Sequence, residues 1–183
     1  MALASSNGMA VGTVAPPFSL PGVDGQTWSL ESFADAKVLV VVFTCNHCPY
    51  AVAAEERLVA LQADLESRGV RLVAINANDA TRYPSDSFEN MGARATERGF
   101  NFPYVFDESQ EVARAYDAAC TPDVFVFDGD RALVYNGRID DNWRSFDQVQ
   151  HHDLRDVIEA TLDGRAHNVD VHAAMGCSIK WKA

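Results

Sequence analysis

The sequence has few basic residues and no cluster of them. Lys and Arg number 15 against 26 Asp and Glu in 183 residues, which gives a formal net charge of -11 and a pI near 4.7. Phosphate groups are bound by clustered Lys and Arg. The composition therefore argues against a nucleic-acid partner or an anionic membrane, and it leaves the oligomeric state open.

Long apolar segments are also lacking. The first twelve residues, MALASSNGMAVG, have no basic start and no apolar run typical of an export signal, and no later run reaches the length of a membrane span. We therefore expect a cytoplasmic protein without a membrane partner. With 48% hydrophobic residues, the chain is predicted to form a disordered lead at 1–12, one domain at 13–165, and a tail at 166–183 packed on or near that domain.

Cysteines are few as well: Cys45, Cys48, Cys120 and Cys177. Four are too few for a disulfide scaffold in a chain of this size, and a close-spaced pair in a reducing compartment is typical of reactive or metal-binding thiols. A structural zinc needs a second pair of ligands at similar spacing, whereas Cys120 and Cys177 stand alone in the sequence. We therefore expect no metal and no other cofactor.

Apolar patterning predicts an α/β sandwich with a mixed sheet and helices on both faces. Val38–Phe43 is continuously apolar and β-branched, as in a strand buried on both faces, and Val70–Ile75 is a second such strand. The helix between them, Tyr50–Arg68, completes a right-handed parallel crossover. The other predicted elements are a hairpin at 18–30, a helix from Asp86 with Glu89 as its capping partner to Gly99, a strand Tyr104–Phe106, a helix Ser109–Tyr116, a hairpin at 124–135 and a helix Asp147–Leu162.

The CxxC motif, Cys45-Asn46-His47-Cys48, lies at the junction of the first buried strand and its helix. Residues three apart share one face of a helix, so two thiols at this spacing can close and reopen a small disulfide. The amino terminus of a helix stabilises a thiolate through unpaired N–H groups and the helix dipole. We therefore expect an exposed Cys45 as the nucleophile and Cys48 as the resolving thiol, with added positive charge from His47 when it is protonated.

Three segments together resemble the thioredoxin-like superfamily, and within it the redoxin group of AhpC/TSA and TlpA-like proteins. They are GTVAPPFSL at 12–20, FTCNHCP at 43–49, and CTPD followed by FVFD within 120–128. With GCSIKWK at 176–182, the chain is similar to a peroxiredoxin-like branch that has a CxxC motif. The resemblance covers about 11–162 and implies a thioredoxin-like three-layer sandwich with a central mixed sheet and an N-terminal hairpin.

The same resemblance implies a substrate-binding region beside the cysteines. In the superfamily, the proline that matches Pro122 is cis and packs against the cysteine pair. The residue before it, here Thr121, pairs with the substrate as an added strand. The implied substrate-binding residues are Thr44, Asn46, His47, Thr121 and Pro122.

The chain departs from the sequence patterns of both thioredoxins and peroxiredoxins. Thr44 stands where thioredoxins have Trp, and Val38–Phe43 holds no counterpart of their buried acid. Peroxiredoxins have a Pro and a Thr at set places before the peroxidatic cysteine, and a distant Arg. That pattern is not found before Cys45, so the motif does not support peroxide turnover.

Other residues have weaker claims on the site. Cys120 is either a third redox thiol near the proline or a buried small side chain, and Cys177 is either a second resolving thiol on a folded-back tail or a plain thiol. Polar residues after the second strand either line the cleft or form a turn: Asn76, Asn78 and Asp79. Charged residues after the second hairpin are either site residues or surface ion pairs: Arg138, Asp140 and Asp141. The pair His151 and His152 is read as a solvated helix start.

Three functions remain open on the sequence. The first is a thiol–disulfide oxidoreductase that works through a mixed disulfide of the Cys45/Cys48 pair. The second is a thiol peroxidase with Cys45 peroxidatic and Cys48 resolving, and the third is a non-catalytic redox-sensing or binding module. The expected partners are a disulfide-containing protein or a small thiol or peroxide substrate, and an unidentified thiol reductant or oxidant.

Overall fold

The computed structural model describes residues 2–182, and at its centre is a five-stranded mixed sheet. In spatial order its strands are β6 (Tyr104–Phe106), β5 (Val70–Asn76), β4 (Val38–Phe43), β8 (Asp123–Phe127) and β9 (Leu133–Gly137). β4, β5 and β6 run parallel, whereas β8 and β9 extend the sheet in antiparallel pairing. The predicted mixed sheet is confirmed.

Helices cover both faces of this sheet, because the central strand β4 is apolar on both sides. The helices are α1 (Pro49–Leu65), α2 (Phe88–Arg98), α3 (Glu111–Ala115) and α4 (Asp153–Leu162). Val40 faces a core with α1, α2 and α4, and Val41 faces a core with α3 and the N-terminal segment. No side chain of β4 is more than 1% exposed, and burial of each such residue stabilises the fold by roughly 1.5–3 kcal/mol.

The predicted first hairpin is confirmed as β2 (Ser19–Pro21) and β3 (Thr27–Ser29). It lies beside the sheet edge, where Gly22 forms an isolated bridge with Val105 of β6. Among residues 2–182, no helix is both long and apolar enough to cross a membrane.

A second, three-stranded sheet joins the two ends of the described chain. Its order is β1 (Leu3–Ser5), β10 (Met175–Ser178) and β7 (Cys120–Thr121), all antiparallel. The prediction of a disordered lead at 1–12 is therefore wrong at β1, because this segment gains a pairing partner from the tail. The tail itself returns to the domain through β10. Residues 1 and 183 of the predicted lead and tail lie outside the described residues.

Several helix boundaries differ from those predicted. α2 begins at Phe88, after Ser87 accepts a hydrogen bond from the Asn90 N–H, and Asp86 ends a separate 3-10 turn. Gly99, in a left-handed conformation, ends α2 as predicted. α4 begins at Asp153 rather than at Asp147, because residues 146–148 form a 3-10 turn of their own.

Candidate active site

The CxxC motif connects β4 to α1. Cys48 is the N-cap residue of α1 and Pro49 is its first helical residue. This position suits proline because a backbone N–H there would have no partner within the helix. Cys45 therefore lies three residues before the helix cap rather than at it. Cys45 is 2% exposed and Cys48 is fully buried, so the expected exposure of Cys45 is not observed.

Both sulfur atoms contact Thr121, the last residue of β7. The Thr121–Pro122 peptide bond is cis, as the resemblance implied. The Cys45 Sγ lies 3.3 Å from the Thr121 hydroxyl, and the Cys48 Sγ lies 3.2 Å from the Thr121 carbonyl oxygen. No disulfide joins any of the four cysteines within the described residues.

Several hydrogen-bond donors lower the pKa of Cys48. The Cys45 thiol is the main donor to the Cys48 sulfur and lowers the pKa of Cys48, while burial opposes this effect. The Cys177 thiol and the N–H groups of Ala51 and Cys177 lower the pKa of Cys48 further. The Ala51 donor belongs to the first turn of α1, as expected for an anion at a helix amino terminus.

The pKa of Cys45 is shifted in the opposite direction. Its pKa is raised because it donates its proton to Cys48, because it is buried, and because the Asp86 carboxylate is nearby; the Thr121 hydroxyl opposes these effects. Two adjacent sulfurs share a single negative charge. The interactions lower the pKa of Cys48 and raise that of Cys45, whereas the sequence-based prediction assigned the thiolate to Cys45.

Asp86 organises the CxxC motif, a role that no sequence pattern indicated. Its fully buried carboxylate accepts hydrogen bonds from the Asn46 N–H at 2.7 Å, from His47 Nδ1 at 2.6 Å and from Asn78 Nδ2 at 2.8 Å. Bonds to an ionised acceptor are among the stronger hydrogen bonds in proteins. Asp86 is therefore a buried acid next to the CxxC motif, whereas β4 contains none.

Asn46 points into the protein. Its side chain donates to the Ser85 carbonyl at 2.8 Å and accepts from the hydroxyl of the buried Tyr104 at 3.0 Å. Asn76 donates in turn to the same hydroxyl at 3.3 Å. The predicted cleft residues Asn76 and Asn78 thus support the motif from below, through Tyr104 and Asp86 respectively.

Three groups near the pair resemble a set of metal ligands. One ligand atom each from Cys45, His47 and Asp86 lies within 4.8 Å of the others. Two ligands of one tetrahedral zinc at about 2.0–2.1 Å lie roughly 3.3 Å apart. The 2.6 Å between His47 and Asp86 is instead a direct hydrogen bond. This arrangement fits proton exchange next to Cys45 better than metal binding.

β10 covers the cysteine pair. Cys177 pairs in register with Thr121, and its side chain, 5% exposed, packs in one cluster with Cys45, Cys48 and Ala51. Cys120 is also fully buried, but its sulfur is directed at the carbonyl oxygens of Pro122 and Ala174, and burial raises the pKa of Cys120. Of the two candidate accessory thiols, Cys177 is therefore the one in contact with the pair.

The other candidates have structural partners. Thr44 continues the β4–β5 pairing through its N–H, and His47 stacks on the Tyr83 ring at 5.3 Å. The remaining contacts are Asp79 with the Thr81 N–H, Arg138 with Asp153, Asp140 with Arg57, and Asp141 with the Gln150 N–H; His152 is the N-cap residue of α4, next to the exposed His151.

A CxxC pair before a helix, facing a cis-proline loop on a mixed sheet, defines a redoxin of thioredoxin-like fold. Residues 11–136 match the model of the AhpC/TSA family, and the chain belongs to that family. The chain is also similar to peroxiredoxin Bcp of Escherichia coli strain K12, with 24% identity over 154 residues that cover 81% of this chain and 94% of Bcp.

Solved structures agree with this fold. An uncharacterized conserved protein from Geobacillus kaustophilus is 45% identical with a TM-score of 0.95, covering 100% of this chain and 97% of its own. A hypothetical protein from Sinorhizobium meliloti 1021 is 40% identical with a TM-score of 0.93, covering 98% of each chain. The thioredoxin domain of a Bacteroides vulgatus thiol-disulfide oxidoreductase is 17% identical with a TM-score of 0.67, covering 85% of this chain and 99% of its own. This similarity supports the fold alone.

Proposed function

We propose that this protein is a thiol–disulfide oxidoreductase whose redox pair is Cys45 and Cys48. The observation that carries the proposal is that both sulfurs meet at Thr121 beside the amino terminus of α1, with Cys45 Sγ 3.3 Å from the Thr121 hydroxyl and Cys48 Sγ 3.2 Å from its carbonyl oxygen. Its substrate is a disulfide-containing protein or a small disulfide, and a separate thiol system restores the pair. A reducing, cytoplasmic setting belongs to the same proposal, since the chain contains few cysteines.

The proposed reaction begins at Cys48, the cysteine whose pKa is lowered. Its thiolate attacks one sulfur of the substrate disulfide, and the other substrate sulfur leaves as a thiolate. Cys45 then loses its proton and attacks the Cys48 sulfur, which releases the second substrate thiolate and leaves a Cys45–Cys48 disulfide. His47 and Asp86 offer proton-accepting atoms close to Cys45, and the leaving thiolates take up protons.

A peroxidase is the second candidate, and the similarity to peroxiredoxin Bcp favours it. Peroxide reduction needs a thiolate that goes to sulfenic acid, and such thiolates lie in electropositive surroundings. Cys45 faces the Asp86 carboxylate instead, which raises its pKa. This electrostatic environment supports disulfide exchange over peroxide reduction by Cys45.

An aromatic disulfide that releases a coloured thiolate tests the proposed function. The assay is done in a Cys120→Ser/Cys177→Ala background, so that only the pair can react. The parent should release two equivalents and end as a Cys45–Cys48 disulfide. Adding Cys45→Ser should stop the reaction at one equivalent, with the reagent bound to Cys48. Adding Cys48→Ser should remove the fast phase.

The outcomes separate the candidate functions. Rapid reaction and trapping at Cys45 in the Cys48→Ser variant would keep the redox pair but reverse the order of attack. Rapid consumption of hydroperoxide in stopped flow, with slow disulfide exchange, would favour the peroxidase. If neither single serine changes thiol chemistry, the chain is a non-catalytic module.

A further inference from the structure

β10 occupies the edge that an incoming peptide would use. Proteins that bind extended peptides often add them as a strand to an exposed sheet edge. Here Cys177 pairs antiparallel with Thr121, and Ser178 pairs with Cys120. The tail of this chain therefore lies where the proposed function requires a substrate strand.

Close backbone contact holds this strand against β7. A Cβ atom added to Gly176 would lie 2.0 Å from the Thr121 carbonyl oxygen, far inside van der Waals contact. Only a residue without a side chain fits there, because the two backbones approach so closely. The Gly176 position thus brings the next residue, Cys177, up to the pair.

The contact between Cys177 and Cys48 involves both main chain and side chain. The Cys177 N–H and thiol both act on the Cys48 sulfur as hydrogen-bond donors. The cluster of Cys45, Cys48 and Cys177 is buried. Thiols held together in this way exchange without a diffusive encounter, which gives them a high effective concentration.

We propose that Cys177 is the third redox thiol of this site and that β10 is an intramolecular disulfide partner of Cys48. This inference rests on the proposed function of the Cys45/Cys48 pair. In the oxidised protein, Cys177 attacks Cys48, so that a Cys48–Cys177 disulfide replaces the Cys45–Cys48 disulfide.

The step is balanced within the chain. Cys177 gives up its proton, its sulfur bonds to the Cys48 sulfur, and the Cys45–Cys48 bond breaks. Cys45 leaves with the electron pair of that bond and takes up a proton. The number of disulfides is unchanged, so this step needs no added oxidant or reductant.

The protonation of Cys177 depends on the state of Cys48. Burial, followed by the hydrogen bond to Cys48 and the charge on Cys48, raises the pKa of Cys177 to about 11, against an opposing effect of Lys180. Once Cys48 is part of a disulfide it carries no charge, and that contribution disappears. Cys177 is therefore held as a thiol in the reduced site and ionises more readily in the oxidised one.

Disulfide mapping in a Cys45→Ser variant tests the proposal without an activity assay. Serine keeps a hydroxyl donor next to Cys48 and removes the competing sulfur. After treatment with one equivalent of diamide and an acid quench, we expect an intramolecular Cys48–Cys177 disulfide in the peptide map. The same disulfide should form in Cys45→Ser/Cys120→Ser, which serves as the matched control, and should be lost in Cys45→Ser/Cys177→Ser.

Other products would overturn the inference. Intermolecular dimers through Cys48, or a Cys48–Cys120 disulfide with Cys177 still open to alkylation, would show that Cys177 is not the partner. The proposed function is tested separately by oxidising Cys177→Ala, in which a Cys45–Cys48 disulfide should still form. Failure there counts against the redox pair itself, whereas failure only in Cys45→Ser counts against the role of Cys177.

A backbone variant tests whether the strand delivers the thiol. Gly176→Ala in the Cys45→Ser background should slow formation of the Cys48–Cys177 disulfide by about tenfold or more, because the added Cβ displaces β10 and lowers the effective concentration of Cys177. Gly92→Ala is the matched control, since its nearest neighbour would be Val23 at 3.8 Å. Equal rates in the two variants would contradict delivery by β10.

Discussion

Asp86 shows how one side chain can control both the shape and the charge of this site. It fixes the backbone of Asn46 and the ring of His47 by hydrogen bonds, and it places a negative charge near Cys45. The first effect stabilises the fold of the motif, and the second opposes ionisation of Cys45. Replacing Asp86 by Asn removes the charge and one of the two acceptor oxygens, so the two effects are followed by separate measurements.

Asp86→Asn should destabilise the protein and make Cys45 easier to ionise. Loss of charged acceptors costs roughly 1.5–3 kcal/mol in the free energy of unfolding, measured by urea denaturation. The pKa of Cys45 should fall, since the carboxylate that raises it is gone, so alkylation of Cys45 should become faster at a given pH below that pKa. Site-resolved mass spectrometry across a pH series checks the direction.

Asp64→Asn is the control for this substitution. The Asp64 side chain is 58% exposed and pairs with Arg155 on the surface, where an ion pair contributes about 0.2–1 kcal/mol. It should leave the alkylation of Cys45 unchanged. A rise in the pKa of Cys45 in Asp86→Asn would contradict the assigned charge effect.

The sequence was sufficient to predict the site residues that belong to compact motifs. It was insufficient to predict the site residues that come from distant parts of the chain. The CxxC spacing and the Thr121–Pro122 dipeptide identify groups that do meet in the structure. Asp86 lies in a 3-10 turn forty residues beyond Asn46, and nothing in its own neighbourhood indicates that partner. The Asp86 carboxylate, one of the groups that raise the pKa of Cys45, is remote in sequence as well, and the thiolate at Cys45 stays a prediction.

At the scale of elements, a buried ion pair joins α1 to α2. The Glu55 side chain is 6% exposed and accepts from Arg94 Nε at 2.5 Å and from Arg94 Nη2 at 2.9 Å, with Arg98 at 3.4 Å. This bidentate geometry fixes the position of α2 more firmly than a single contact would. α2 follows the turn that ends at Asp86, so the ion pair also supports the site indirectly.

Glu55→Gln should loosen α2 because it leaves Arg94 without a charged partner. We expect a loss of roughly 1.5–3 kcal/mol in the free energy of unfolding, measured by urea denaturation at neutral pH. Glu56→Gln is the matched control, since Glu56 is an exposed neighbour on the same helix. Equal free energies of unfolding for the two variants would show that the charge of Glu55 contributes nothing to stability.

Strands with a continuous apolar run were predictable, whereas the short strands β1 and β10 were not. β4 and β5 have enough consecutive apolar residues for the pattern to specify a buried strand. β1 has three residues and β10 has four, and neither has an alternating apolar pattern. Their conformation is determined by pairing with distant parts of the chain, which local propensity does not encode.

For the molecule as a whole, the main feature is that segments from near both ends of the chain meet over the redox pair. β1 pairs with β10, which pairs with β7 next to Thr121. Beyond the strands, the Ser6 N–H donates to the Ala174 carbonyl, and the Ser6 hydroxyl accepts from the Ala174 N–H. The N-terminal segment thus supports the strand that carries Cys177.

A variant without residues 2–7 should weaken the docking of β10 while the central sheet stays intact. Loss of about 1–2 kcal/mol of pairing raises the open population roughly 5–30-fold. Hydrogen exchange followed by mass spectrometry should show that increase for the amides of β10, with β9 as the internal reference. Unchanged protection of β10 would mean that β7 alone holds it in place.

The donors that lower the pKa of Cys48 stabilise its thiolate, and so they lower the free energy of the reduced form of the couple relative to its disulfide. Stabilising the dithiol makes a redox couple a stronger electron acceptor. Two of these donors belong to Cys177 and leave with β10. We therefore expect the electron affinity of this centre to depend on the position of the tail as well as on the CxxC motif, and a protein with its tail released should be the better electron donor.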